Sequence, residues 1–186
     1  MTGRPPFIFL IAGEPSGDAL GAPLMAEIRK QAPAEPRFAG VGGVQMTEAG
    51  LVSLFPMADL SVMGIAEVVP RLPLLLRRIR ETAAAILEMR PDVIVGIDSS
   101  SFNNRVARRL VAAGSAIPRV HYVAPMVWAW RPGRARRLAG LYDHLLALLP
   151  FEPPLFEREG LATTWVGHPV VERPAGEGAR FRGARG

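Results

Sequence analysis

Six short β-rich runs, at residues 7–12, 36–41, 92–97, 119–123, 143–148 and 162–166, alternate with helical patterns at 18–32, 44–50, 73–89, 102–113, 131–140 and 151–159. A parallel neighbour cannot be reached through a tight turn; it needs a crossover long enough to hold a helix. The alternation therefore predicts an α/β fold, a Rossmann-like parallel sheet with helices on both faces. The run "DVIVGID" at 92–98 has the near-continuous apolar character of a central strand. Pro33, Pro91 and Pro118 lie beyond three of the helices, where proline stops a helix without kinking it.

A chain of 186 residues suffices for one well-buried domain, or for a domain plus a tail. The expected division is a domain over 1–171 and a tail over 172–186, where "ERPAGEGARFRGARG" has no periodicity and reads as disordered or aberrant. The absence of cysteine excludes disulfides, thiolate metal sites and a cysteine nucleophile, and fits the cytoplasm. Only residues 7–12 are continuously apolar near the start, short of the ~7–15 of a signal-peptide core, so they read as a first strand. No apolar segment approaches the ~20 residues of a membrane-spanning helix. The net charge of +5 comes almost wholly from arginine, Lys30 being the one lysine, and the tail carries +2 of it. Without basic residues interleaved with stacking aromatics, this charge does not indicate nucleic acid.

The first strand runs into "AGEPSGD" at 12–18. Gly13, Gly17 and Gly21 do not have the G-x-G-x-x-G spacing, no acid ends a second strand where a ribose would need one, and no Gly-Lys-Ser/Thr follows. A dinucleotide fingerprint and a P-loop are thereby excluded. What is left is a strand-end loop whose helix amides face the open edge of the sheet, where such folds bind ligands. Ser16 or Asp18 either caps the helix or meets a ligand there.

Asp98, in "GIDSSSFNNR", follows a buried strand directly, and a carboxylate in that place is costly unless it is paired or reacts. It either caps the next helix or serves as a general base toward a hydroxyl. No second acid lies within the motif, so no Asp-x-Asp metal site forms; no metal and no cofactor is expected. Further on, "HYVAPMVWAWRPGRARR" sets Trp128 and Trp130 before Arg131, Arg134, Arg136 and Arg137. This is either an aromatic platform beside phosphate-directed guanidinium groups or packing next to a solvated helix face. His121 lies inside a β run and reads as a satisfied core histidine, whereas His168 follows a strand and either binds a ligand or marks a link to another domain.

In "MGIAEVVPRLPLLLRRIRETAAAIL", Pro70 and Pro73 are expected to make a loop into the helix. Around them cluster Val68, Val69, Leu72, Leu74, Leu75 and Leu76, beside Arg71, Arg77, Arg78 and Arg80. Six large apolar residues in nine positions exceed one buried stripe. The composition suits either the surface of an anionic membrane or a core helix with an ordinary basic face.

"AGEPSGD" at 12–18, "VMGIAEVV" at 62–69, "DVIVGIDSSSFN" at 92–103, "HYVAPMVWAWR" at 121–131, "LLPFEP" at 148–153 and "GHP" at 167–169 together resemble the amino-terminal half of the lipid A disaccharide synthase family. The resemblance implies the amino-terminal, acceptor-side domain of a two-domain GT-B glycosyltransferase that works without a metal. Such an enzyme joins UDP-2,3-diacylglucosamine to 2,3-diacylglucosamine 1-phosphate (lipid X) through a β(1→6) bond and releases UDP. It further implies a peripheral protein on the cytoplasmic face of a Gram-negative inner membrane, with the patch at 66–80 meeting that membrane. The carboxy-terminal UDP-sugar-binding domain is expected to be absent from this chain, which alone would then transfer sugar poorly. By position, Asp98 becomes the catalytic base; Gly13, Glu14, Ser16, Gly17 and Asp18 line the cleft; Asn103, Trp128 and Arg131 shape its wall. The family pattern Gly-Ile-Asp-x-Pro-Asp-Phe-Asn is broken here, with Ser100 and Ser101 replacing the proline and the second acid. A non-catalytic lipid-binding fragment, and a relative acting on another UDP-sugar, are the competing readings.

Overall fold

The computed structural model describes residues 4–60, 65–126 and 133–172, without the side chains of 65–69, 170 and 172. In chain order the elements are β1 (Phe7–Ala12), α1 (Pro15–Gln31), β2 (Arg37–Val41), α2 (Val44–Glu48), β3 (Val52–Ser53), α3 (Ile65–Met89), β4 (Val93–Ile97), α4 (Ser100–Ala112), β5 (Arg119–Tyr122), α5 (Gly133–Ala139), β6 (His144–Ala147), α6 (Pro153–Glu157) and β7 (Thr163–Trp165). Of the expected tail, residues 173–186 lie outside the described residues.

The seven strands form one sheet in the order β3-β2-β1-β4-β5-β6-β7, and every pairing is parallel. The chain winds outward from β1 to β3, then returns through α3 to lay β4 against the other side of β1. The strand order thus reverses between β1 and β4, the place where open α/β sheets leave a crevice at the strand carboxyl ends. Ala12 pairs with Ile97, so the loops leaving β1 and β4 emerge side by side.

All six residues of β1 are buried, because helices cover both faces of the sheet. Side chains alternate across a strand, and the core divides accordingly. Phe7, Phe9 and Ile11 pack with Ile79, Ala83 and Ile86 of α3 and with Phe102, Val106 and Leu110 of α4. Ile8, Leu10 and Ala12 face Met25 of α1 and Met46 of α2. A third cluster joins Ala135 and Leu138 of α5 to Leu145, Phe156 and Leu161.

Two boundaries differ from expectation for identifiable reasons. Helix α1 starts at Pro15 rather than at 18, because the first helical position needs no N–H and proline suits it. The loop expected around Pro70 and Pro73 is instead helix: α3 runs unbroken from Ile65 and holds both prolines inside it. Each proline forfeits one main-chain bond, and the packing of Ile79, Ala83 and Ile86 against the sheet anchors the rest of the helix. Within the apolar patch, Leu72 is exposed, Leu74, Leu75 and Leu76 are half-buried, and Leu76 packs against the core. The side chains of Val68 and Val69 lie outside the described set. Arg77 faces solvent. Arg78 turns inward; its guanidinium binds Asp59 at 2.5 Å and Glu81 at 2.6 Å and stacks 4.5 Å over Phe55. Among the described residues, no helix is long and apolar enough to cross a membrane.

Candidate functional site

The loops after β1 and β4 meet at the switch point. The hydroxyl of Ser16 donates to Asp98 Oδ2 at 2.8 Å, across a sequence separation of 82 residues. Close approach favours glycine at Gly13 in the loop and, less strictly, at Gly17 in the first turn of α1. A Cβ on Gly13 would lie 2.5 Å from Ser99 Oγ, and one on Gly17 would lie 3.3 Å from both Ala12 Cβ and the Ile97 carbonyl oxygen. The first turn of α1 is thereby pressed against the ends of β1 and β4.

Asp98 is half-buried, at φ +53, and its N–H donates to the Tyr122 carbonyl at 2.9 Å. The left-handed backbone is uncommon outside glycine, and aspartate is among the residues that enter it most readily. It turns the chain from β4 into α4, and the carboxylate lines a cleft of about 450 Å³. The same cleft is lined by Glu14, Ser99, Ser100 and Ser101 from the two loops, by Asn104 and Arg108 of α4, and by Arg134 and Arg137 of α5, over Leu138 and Leu141. Glu14 is the N-cap residue of α1 but makes no capping bond through its side chain, which leaves its carboxylate available to a ligand.

Other expected site residues fall elsewhere. Asp18 caps a helix, although not its own. Its buried carboxylate accepts from the N–H groups of Gly43 (2.8 Å), Gln45 (3.0 Å) and Met46 (3.0 Å), at the start of α2. Asn103 is buried and does not line the cleft; its Nδ2 donates to the Ile97 carbonyl at 3.2 Å and to that of Ile11 at 3.5 Å, tying β4 to β1. Trp128, Trp130 and Arg131 lie outside the described residues. Asn104, Arg108 and Pro125 also line the cleft; Asn104 and Pro125 stand inside quoted motifs without being singled out, and Arg108 lies outside them. The spacing of Ser101, Asn104 and Arg108, three and then four residues apart, is the one signal that puts them on a single helix face.

His121 is fully buried in β5, and burial pulls its pKa down to about 4. Its Nε2 stands 3.5 Å from Ser100 Oγ, but Nδ1 has no partner among the described residues, so the expected core placement holds without the expected satisfaction there. Ser100 itself is the first residue of α4, the position proline favours. The buried imidazole makes a prediction about pH. The unfolded chain takes up a proton near pH 6.5, whereas the fold resists until about 4. The contribution is complete above pH 6.5 and declines as pH falls toward 4, by about 1 kcal/mol per unit. Urea unfolding of the chain and of His121→Phe between pH 4.5 and 7.5 will show this as a slope that the variant lacks; equal slopes contradict it.

Among the described residues, no group of three or more histidine, aspartate or glutamate side chains is placed to hold a metal ion. The arrangement at the switch point is one half-buried carboxylate with a hydroxyl donor, a second carboxylate, and guanidinium groups across a cleft. Chemically it can orient a hydroxylated ligand and accept a proton from it.

The fold recurs in the crystal structure of UDP-GlcNAc 2-epimerase from Neisseria meningitidis bound to UDP-GlcNAc. The TM-score is 0.58 at 12% identity, over 89% of this chain and 46% of that one. Sequence relatives are much nearer. The lipid-A-disaccharide synthase of Rhodospirillum centenum is 59% identical over 98% of this chain and 46% of its own length. That of Paramagnetospirillum magneticum is 55% identical over 94% of this chain and 45% of its own length, and that of Ruegeria pomeroyi is 56% identical over 98% and 45%. The chain thus spans about half the length of the curated relatives it matches. The family model described as lipid-A-disaccharide synthetase matches residues 8–180. With the parallel sheet, the switch-point loops and these matches in agreement, the chain belongs to the lipid-A-disaccharide synthetase family.

Proposed function

We propose that this chain is the acceptor half of a lipid A glycosyltransferase. In that role Asp98 removes the proton from the 6-hydroxyl of 2,3-diacylglucosamine 1-phosphate as that oxygen attacks the anomeric carbon of UDP-2,3-diacylglucosamine. The new C–O bond is the β(1→6) link, the bond from the anomeric carbon to the diphosphate breaks, and UDP leaves. The observation that carries this reading is the Ser16–Asp98 bond at the switch point, which holds one carboxylate oxygen and leaves the other for a hydroxyl. Glu14 and the Gly13–Gly17 turn supply the facing wall, with Ser101 where the family pattern has an acid. A separate domain, outside these residues, supplies most of the contact to UDP.

The test joins residues 1–171 to the carboxy-terminal remainder of the Rhodospirillum centenum relative and measures labelled disaccharide formed from the two lipid substrates. Disaccharide from the fusion, and little or none from the chain alone, is the expected result; a fusion that binds both substrates without product would leave only lipid binding.

The same reading places the protein on the inner face of the inner membrane through residues 66–80. Leu72 is exposed beside Arg71 and Arg77, an apolar and cationic surface that suits anionic lipid. Replacing Leu72, Leu74 and Leu75 by serine is expected to reduce flotation with vesicles of anionic phospholipid at least several-fold. Undiminished flotation would remove this surface from the account.

A further inference from the structure

The cleft at Asp98 is lined by two carboxylates, Glu14 and Asp98, and by three guanidinium groups, those of Arg108, Arg134 and Arg137. The arginines come from two helices. Arg108 lies seven residues beyond Ser101, on the face of α4 that also carries Asn104, about 10 Å along the helix. Arg134 and Arg137 are three apart on α5, hence on one face, above Leu138.

On α5, pairing separates the arginines of the cleft from their neighbour. Arg136, on another face of the same short helix, is bound to Glu159 at 3.0 Å. Among the described residues, Arg108 and Arg134 have no acidic partner, and Arg137 donates only to the Gly133 carbonyl, at 3.3 Å. Three exposed like charges lining one cleft repel one another, and charges so placed add little to stability. An anion resolves that conflict, and guanidinium groups suit a phosphoryl group because they present planar pairs of donors to its oxygens. Inorganic anion alone would leave the carboxylate wall without a role. A sugar phosphate uses both walls, with a hydroxyl at Asp98 and the phosphoryl group among the arginines.

We infer that Arg108, Arg134 and Arg137 form the phosphate subsite of this cleft, taking the phosphoryl group of a hexosamine phosphate whose hydroxyl lies at Asp98. The inference rests on the acceptor reading given above, and it names which phosphate is held: the monoester of the acceptor rather than the diphosphate of the donor.

Calorimetric titration of the 186-residue chain at low ionic strength provides the test. The probes are glucosamine 1-phosphate, glucosamine and UDP, and the proteins are the chain, Arg108→Gln, Arg134→Gln, Arg137→Gln, the double variant Arg134→Gln/Arg137→Gln, and Arg136→Gln. Glucosamine 1-phosphate is expected to bind more tightly than glucosamine or UDP. Each cleft substitution should weaken it about tenfold or more, with the double variant lowest, and Arg136→Gln should leave it within twofold. Circular dichroism and thermal unfolding establish that each variant is folded. Equal affinity for glucosamine and its phosphate, an equal loss in Arg136→Gln, or no loss in the double variant would overturn the subsite. A UDP affinity that falls in the cleft variants while glucosamine 1-phosphate does not bind would assign the arginines to the donor and overturn the inference as stated. Because the titration reads binding and not turnover, it is independent of whether Asp98 acts as a base: an active Asp98→Asn fusion would sink the mechanism and leave the subsite standing.

Discussion

Asp98→Asn, placed in the fusion with the carboxy-terminal remainder of the Rhodospirillum centenum relative, is expected to lower disaccharide formation by about 10²–10⁴-fold, the range for loss of a positioned general base. The change is nearly isosteric. Asparagine still offers one oxygen to the Ser16 hydroxyl, whose bond to Asp98 spans 2.8 Å, so the turn between β4 and α4 should survive and acceptor affinity should stay within a few-fold. A fall in kcat with KM little changed is the pattern expected of an interaction made in the transition state. Ser16→Ala should have a smaller effect of the same kind, since it frees the carboxylate to rotate without removing it. An Asp98→Asn fusion as fast as its parent would show that another group takes the proton.

The largest stability effect is expected at Asp18. Its carboxylate accepts three main-chain N–H bonds at 2.8–3.0 Å in a site only 4% exposed. Asp18→Ala leaves those three donors unpaired, that of Met46 buried and those of Gly43 and Gln45 partly so, a loss of about 2–4 kcal/mol in denaturant unfolding. Asp18→Asn keeps one acceptor oxygen and should lose roughly half as much. Gly43 packs closely on that carboxylate, since a Cβ there would lie 2.5 Å from Asp18 Oδ2. A loss under about 1 kcal/mol in Asp18→Ala would mean that water or a shifted α2 satisfies the donors.

Asp18 and Asp98 mark how far the amino-acid sequence alone is legible. Both stand in motifs at strand ends, and the alternation of strand and helix is enough to put both motifs at the carboxyl edge of a parallel sheet. Choosing between capping and binding requires the partner. Asp18 meets α2, 25 residues on, and Asp98 meets Ser16, 82 residues back. Neither contact has a local periodicity to betray it. The same holds for the sheet order: β1 lies beside β4 because α3 carries the chain back across it, and nothing within either strand specifies that neighbour.

The elements that sequence pattern misses have local causes. Strand β3 is two residues long and sits at the sheet edge, below the length at which alternation can be seen. Pro70 and Pro73 read as a loop because proline in a helix interior normally costs about 3 kcal/mol. That expectation leaves out the long packed stretch behind them, where Ile79, Thr82, Ala83 and Ile86 are buried at helical spacing. Arg78 falls with the basic face by its neighbours in sequence, yet Asp59 lies within reach on the preceding loop. Where lining residues stand three or four apart on one helix, as Ser101, Asn104 and Arg108 do, the sequence does carry the pattern, and the cleft gives it meaning.

On the proposed reading, the acceptor sugar sits in the switch-point cleft. Amide chemical-shift mapping of the 186-residue chain during titration with glucosamine 1-phosphate tests it most directly. The largest shifts are expected on Gly13, Ser16, Ser99, Ser100, Ser101 and Asn104, with none of comparable size on the β3 edge. Shifts confined to residues away from the ends of β1 and β4, or no shifts at millimolar sugar phosphate, would contradict it.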